Sequence, residues 1–162
     1  MKAQRSVSSI EPTCFEERGP LAVAGFSGIF TAESRDGIPE LWKRLMPHIG
    51  RVPGQVGSVA YGVSSMRVGR IDYTAGVEVS GDAALRDGFR KVTIAAKTYA
   101  VFAHRGHVST IPAVVGTIGN EWLPRSGWAI AAERPQLVER YGADFDPKTS
   151  SGLIEILIPL KG

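Results

Sequence analysis

The chain has 162 residues, 43% of them hydrophobic and 22% charged, which is enough to bury one ordinary core and too few to expect two. Nineteen basic against sixteen acidic side chains give a net charge of +3, with the bases scattered from Lys2 to Lys161 and not gathered in a run, which argues against a dedicated nucleic-acid surface. One cysteine, Cys14, excludes an internal disulfide framework or a cysteine zinc cluster and fits a reducing, cytoplasmic setting, and no apolar stretch nears the roughly 20 residues of a membrane-spanning helix.

Residues 1–12 are polar and read as a flexible tail, with the folded domain over 13–162. Leu21-Ala-Val-Ala-Gly-Phe-Ser-Gly-Ile-Phe30 reads as a strand in which Gly25 and Gly28 mark a bulge or a close backbone approach. In Ile38-Pro39-Glu-Leu-Trp-Lys-Arg-Leu-Met46 the spacing of Ile38, Leu41, Trp42 and Leu45 predicts a short amphipathic helix, started by Pro39 and stopped by Pro47. Val59–Val63 and Ile71–Val79 predict a hairpin turning near Arg67–Arg70. The run Val92–Ala103 predicts another strand, and Ser109-Thr-Ile-Pro112 opens a second helix that reaches Trp122-Leu123 before Pro124.

The same grammar occurs twice. Ile38-Pro39 and Ile111-Pro112, Pro47 and Pro124, Tyr61-Gly62 and Tyr141-Gly142, and Glu78 and Glu155 repeat at offsets of 73 to 80 residues, in the same order and on matching elements. The expected fold is α+β: two βαββ halves, about 13–80 and 91–162, related by a pseudo-twofold, with an antiparallel sheet and two main helices forming a ligand cleft.

In Leu153-Ile-Glu-Ile-Leu-Ile-Pro-Leu160 both strand faces are apolar, which leaves Glu155 as a poorly hydrated carboxylate needing a partner, either an internal Arg or Tyr or a bound cation. Glu78 alternates with Asp72, Thr74 and Gly76 and reads as exposed by periodicity, but the pseudo-twofold would set it opposite Glu155 across one cleft. Glu139 shares a strand face with Leu137 and Tyr141, a row equally suited to a pocket wall or to the surface. Tyr61, Tyr73 and Tyr141 on strands, with Trp122 and Trp128 flanking the Leu-Pro-Arg-Ser-Gly turn, suit stacking on planar ligands and cations. Trp42 falls on its helix's apolar stripe and reads as packing. His104 and His107 point apart and lack an acidic or cysteine companion, so no metal site is expected. Gly50–Gly57 lacks the Lys-Ser/Thr ending of a phosphate loop, there is no nucleophile elbow, and no cofactor is expected.

Read together, Asp72-Tyr-Thr-Ala-Gly-Val-Glu-Val79, Tyr99-Ala-Val-Phe-Ala-His-Arg-Gly106, Glu121-Trp-Leu-Pro-Arg-Ser-Gly127, Arg134-Pro-Gln-Leu-Val-Glu-Arg-Tyr141 and Glu155-Ile-Leu-Ile-Pro159 resemble the GyrI-like small-molecule-binding family. This family is also described as the effector-binding domain of AraC-type and MerR-type bacterial transcription regulators. The resemblance covers roughly residues 13–161. It implies duplicated βαββ halves around a cleft in which an acidic residue and aromatics receive cationic or lipophilic aromatic compounds. It places Glu155, Trp122, Trp128 and Tyr141 at that cleft with Tyr73 from the first half, the key carboxylate being Glu155 or Glu139. The regulators' preceding helix-turn-helix has no counterpart in these residues, so a stand-alone binding module without direct nucleic-acid contact, monomeric or homodimeric, is expected. Two other readings stand beside it: a hydrolase of electrophilic aromatic toxins using the same cleft, and a protein-interaction module of the gyrase-inhibitor type with a stable protein partner.

Overall fold

In the computed structural model, which describes residues 10–132 and 135–161, each half is a strand, a helical segment and a β-hairpin. Residues 1–9 of the expected tail, and Arg134 of one resemblance phrase, lie outside the described residues. Of the rest of that tail, Ile10 packs on the core of the second half and Glu11 is held by the Arg125 guanidinium.

A short strand β1 (Cys14–Arg18) precedes the first half, which comprises β2 (Leu21–Phe30), α1 (Ile38–Leu45), β3 (Gln55–Arg67) and β4 (Arg70–Val79). After β5 (Arg90–Ile94) the second half repeats the plan with β6 (Lys97–His107), α2 (Ile111–Thr117), a π-helical turn at Ile118–Trp122, α3 (Leu123–Ser126), β7 (Leu137–Asp146) and β8 (Ser151–Pro159). The β3–β4 hairpin closes over the two residues Val68-Gly69, with Gly69 at φ 75° as such a tight turn requires. Helix α1 buries Leu41 and Leu45 at i and i+4 and turns Glu40 and Lys43 to solvent. Helix α2 is shorter because β-branched Val114 and Val115, then Gly116, are poor helix formers, and the segment ends at Gly127, whose φ is 79°.

All eight strands form one antiparallel sheet in the order β1-β6-β8-β7-β3-β4-β2-β5. The order is symmetric about the β3–β7 pair, and this is the pseudo-twofold that the repeat implies. The apolar run expected as one strand over Val92–Ala103 is in fact two, β5 and β6, which break at Ala95-Ala96 and belong to opposite ends of the sheet. The break is fixed by the Tyr99 hydroxyl, which donates to the Ala95 carbonyl at 2.6 Å. Gly19-Pro20 joins β1 to β2 in the same way. In a flat sheet each linked pair would stand six strand spacings apart, about 29 Å, while a two-residue link spans at most about 11 Å. The sheet therefore curls into a half-barrel until its ends approach. Cross-strand partners Gly25 and Gly76 permit the tight coiling, since a Cβ on Gly25 would lie 1.8 Å from the Ala75 carbonyl oxygen.

The enclosed face carries one apolar cluster, including Leu21, Val23, Tyr61, Val63, Tyr99, Val101, Val138 and Leu157. The outer face carries two, one under α1 and one under α2–α3, and Trp42 packs against both. Where these two clusters meet, the structure buries a carboxylate. Among the described residues no helix is long and apolar enough to cross a membrane.

Candidate functional site

The carboxylate is that of Glu139, on β7 at the centre of the sheet, and it is only 7% exposed. Its strand partner across the pseudo-twofold is Gly62. The missing side chain at Gly62 makes room for the group, because a Cβ there would lie 2.2 Å from the Tyr73 hydroxyl oxygen and 2.8 Å from Glu139 Oε1. Tyr73 reaches in from β4 and Tyr141 from β7, and both hydroxyls donate to the same oxygen, Glu139 Oε1, at 3.0 and 2.6 Å. Trp42 Nε1 donates to the Tyr73 hydroxyl at 3.1 Å, and the indole meets the Tyr141 ring edge-on with centroids 5.1 Å apart. Phe145 packs against the other side of Tyr141 at 4.8 Å, and Trp122 stacks edge-on with Phe102 in the same cluster. The result is an acid under a roof of aromatic rings.

Burial pushes the Glu139 carboxyl pKa upward, while the two tyrosine hydroxyls and the positive charge of Arg35 pull it back down. Both tyrosines are themselves driven well above their ordinary range by burial and by the Glu139 charge, so they stay protonated and act as donors. Among the described residues, neutral hydroxyls are thus the carboxylate's only hydrogen-bond partners, and no lysine or arginine of these residues pairs with it. With only 7% of Glu139 exposed, the aromatic roof is closed over it.

Of the residues singled out in the sequence, Glu139, Tyr73 and Tyr141 are brought together, with Trp122 in the adjoining core. Trp42, read from its helical stripe as packing, is also a direct member of the hydrogen-bonded group. The structure adds Gly62, which carries no signal in a single sequence beyond being a glycine in a strand. Glu155, Glu78 and Tyr61 stand apart, because they occupy the enclosed face while Glu139 and Tyr141 face the helices. The repeat read between Tyr61 and Tyr141 fails for this reason: Tyr61 pairs with Arg140, and Tyr141 with Ala60, so the two tyrosines point to opposite faces. Trp128 is 41% exposed and packs on exposed Phe15 at 6.0 Å. His104 and His107 bond to Thr110 and Ser109, and so secure the turn that starts α2.

Glu155 has the internal arginine partner that its sequence allowed. Arg140 Nε donates to Glu155 Oε1 at 2.8 Å, and its two terminal nitrogens donate to Glu16 at 3.1 and 2.8 Å, clamping edge strand β1 to β7 and β8. The bonds to Glu16 and Glu155 push the Arg140 pKa further up, and the same guanidinium lowers that of Glu16. Arg140 is 12% exposed and its acids about 30%, a setting between a buried and a surface pair. Arg140→Met is accordingly expected to cost about 1–2 kcal/mol in denaturant unfolding and to leave ligand affinity unchanged.

A family model described as "GyrI-like small molecule binding domain" matches residues 13–161. The transcriptional regulator BrlR of Pseudomonas aeruginosa is 26% identical over 148 residues, covering 89% of this chain and 53% of BrlR, so the chain spans about half the length of this curated relative. Among solved structures, SAV2435 bound to tetraphenylphosphonium superposes with a TM-score of 0.66 at 15% identity, over 92% of this chain and 93% of that one. EcmrR, in a complex with DNA, gives 0.63 at 13% identity over 91% of this chain and 56% of its own. At such identities the structural likeness shows the fold, a curled antiparallel sheet with two helical segments, and the family match covers nearly the whole chain. The protein belongs to the GyrI-like small-molecule-binding domain family.

Proposed function

We propose that this chain binds lipophilic organic cations at the Trp42–Tyr73–Glu139–Tyr141 group, with Glu139 as counter-charge. The observation that carries the reading is a buried carboxylate whose only partners among the described residues are neutral hydroxyls. Leaving a buried carboxylate without a cation is costly, and an arriving cation recovers that cost while interacting with the faces of Trp42 and Tyr141. Entry requires Trp42 to swing away, breaking its bond to Tyr73 at a cost of about 1 kcal/mol, which a desolvated ion pair outweighs. Tetraphenylphosphonium, the compound bound by SAV2435, is a ligand of this chemistry. BrlR is a transcriptional regulator and EcmrR is seen in a complex with DNA, and we take transcriptional control to be the output that the ligand drives.

The test is a thermal-shift titration with tetraphenylphosphonium and with neutral triphenylphosphine oxide. At about 100 times Kd the cation is expected to add roughly 2.7 kcal/mol of stability and to raise Tm by several degrees. A shift of equal size with the neutral compound, or none with either, overturns the proposal.

A further inference from the structure

We propose that the Ser64 hydroxyl is a second polar contact of the ligand site, and that the natural ligand is an organic cation carrying a hydrogen-bonding oxygen about 7 Å from its charge. The inference rests on the cation-binding reading above and adds to it a specificity-determining residue and a ligand class.

Three polar side chains are buried among the described residues: Ser64, Thr74 and Glu139. Thr74 shares a hydrogen bond of 2.6 Å with Ser27, and Glu139 receives its two tyrosines. Ser64 is only 4% exposed, and among the described residues its Oγ has no hydrogen-bond partner. The hydroxyl is not sealed off either, since Asp72 Oδ1 is the one unpartnered side-chain polar atom of these residues without solvent contact. A buried hydroxyl left unpaired costs stability, and where only a small side chain is needed an alanine serves without that cost. The hydroxyl at position 64 therefore calls for a partner from outside the chain.

Strand register sets Ser64 beside the acid. It lies opposite Tyr73 of β4 and Leu137 of β7, while Gly62, two residues back on the same face of β3, lies opposite Glu139. Ser64 thus shares the helix-covered face with Tyr73 and Glu139, and is the diagonal neighbour of Glu139 across the β3–β7 pair, about 7–8 Å away. The next pair along this face is Met66 and Ile71, and both line a cavity of about 270 Å³. Ser64 stands between that open space and the carboxylate, so a ligand whose charge meets Glu139 and whose body extends toward the cavity passes over the hydroxyl.

Such a ligand is sorted by what it presents at that point. One that covers Ser64 with carbon strips the hydroxyl of solvent and leaves it unpaired. One that presents an oxygen restores the bond, because a serine hydroxyl both donates and accepts.

The test uses two phosphonium cations of matched length, hydroxybutyltriphenylphosphonium, whose chain ends in the hydroxyl, and pentyltriphenylphosphonium, which has a methyl group in its place. Kd is measured for both by isothermal titration calorimetry. Wild type is expected to bind the hydroxyl compound about fivefold more tightly than the pentyl compound, the scale of one hydrogen bond. Ser64→Ala is expected to erase that preference by weakening the hydroxyl compound while leaving the pentyl compound as tight or tighter. A merely structural role for Ser64 moves both compounds in one direction. Equal affinities or a pentyl preference in wild type, or a preference that survives in the alanine variant, overturns the Ser64 assignment and leaves the cation site standing. If Glu139→Gln leaves both compounds unaffected, or neither binds wild type, the cation-site reading falls and the Ser64 assignment falls with it.

Discussion

Glu139→Gln is expected to abolish the preference for cationic over neutral ligands, raising Kd for tetraphenylphosphonium about 30-fold or more, while making the ligand-free protein more stable at neutral pH. The affinity loss follows from removing one partner of a desolvated charge pair, typically about 2–5 kcal/mol. The gain in stability has the opposite origin. Burial raises the Glu139 pKa, so the folded protein holds this proton more tightly than the unfolded chain does. The stability from this group is full below the ordinary carboxylate pKa and is lost as pH rises through the raised value. Glutamine keeps an acceptor for both tyrosines and has no charge to desolvate. The difference in unfolding free energy, variant minus wild type, should therefore grow in the variant's favour as pH rises from the ordinary carboxylate range, about 4, through the raised value. Glu155→Gln is the control: Glu155 is partnered by Arg140 on the other face, so its loss should leave ligand affinity unchanged. Loss of cation selectivity in the Glu155 variant and not in the Glu139 variant would reverse the assignment.

The two glutamates show how far a sequence of this kind can be read. Alternation along β7 and β8 assigns each residue to a face, and it correctly sets Glu139 beside Leu137 and Tyr141 and sets Glu155 opposite Ile154 and Ile156. Choosing between them required knowing which glutamate meets an arginine, and that depends on register. The β7–β8 turn starts with Asp146 opposite Ser151 and Phe145 opposite Gly152, a count that would bring Glu155 opposite Gly142. An irregularity between Tyr141 and Phe145 shifts the pairing by two residues and sets Glu155 against Arg140. Nothing local in the sequence announces that shift. The same limit explains Val92–Ala103, where one apolar run turns a corner at Ala95-Ala96 without a glycine or proline to mark it. It also explains Tyr61 and Tyr141, since the register sets Gly62 opposite Glu139, an offset of 77 between the halves and not 80, so the matching letters fall on opposite faces. The βαββ repeat was legible because it rests on whole elements, the helix starts at Ile-Pro and the apolar strands, which survive such shifts.

Gly62→Ala is expected to cost about 3 kcal/mol of stability and to dismantle the site, although it adds only a methyl group. In an open strand the change would be mildly favourable, because alanine loses less backbone entropy on folding. Here the new Cβ would sit 2.2 Å from the Tyr73 hydroxyl oxygen, 2.8 Å from Glu139 Oε1 and 2.9 Å from the Tyr73 ring. The β3 backbone cannot retreat, since it is paired with β4 on one side and β7 on the other. Tyr73 must move instead, and with it go the bond donated by Trp42 and one of the two that hold the carboxylate. Overpacking of this kind costs about 1–3 kcal/mol, and a lost hydrogen bond to a buried charge adds a comparable amount. Tyr73→Phe supplies the decisive comparison. It removes the oxygen that collides most severely, so the double variant should be less destabilised than the sum of the single ones by about 1–2 kcal/mol, a partial rescue because the ring carbon remains close. Strict additivity in that cycle, measured by denaturant unfolding, would mean that the empty space at Gly62 is unconnected with the hydroxyl. Coupling would identify the glycine as the residue that lets a tyrosine reach across the pseudo-twofold to the acid.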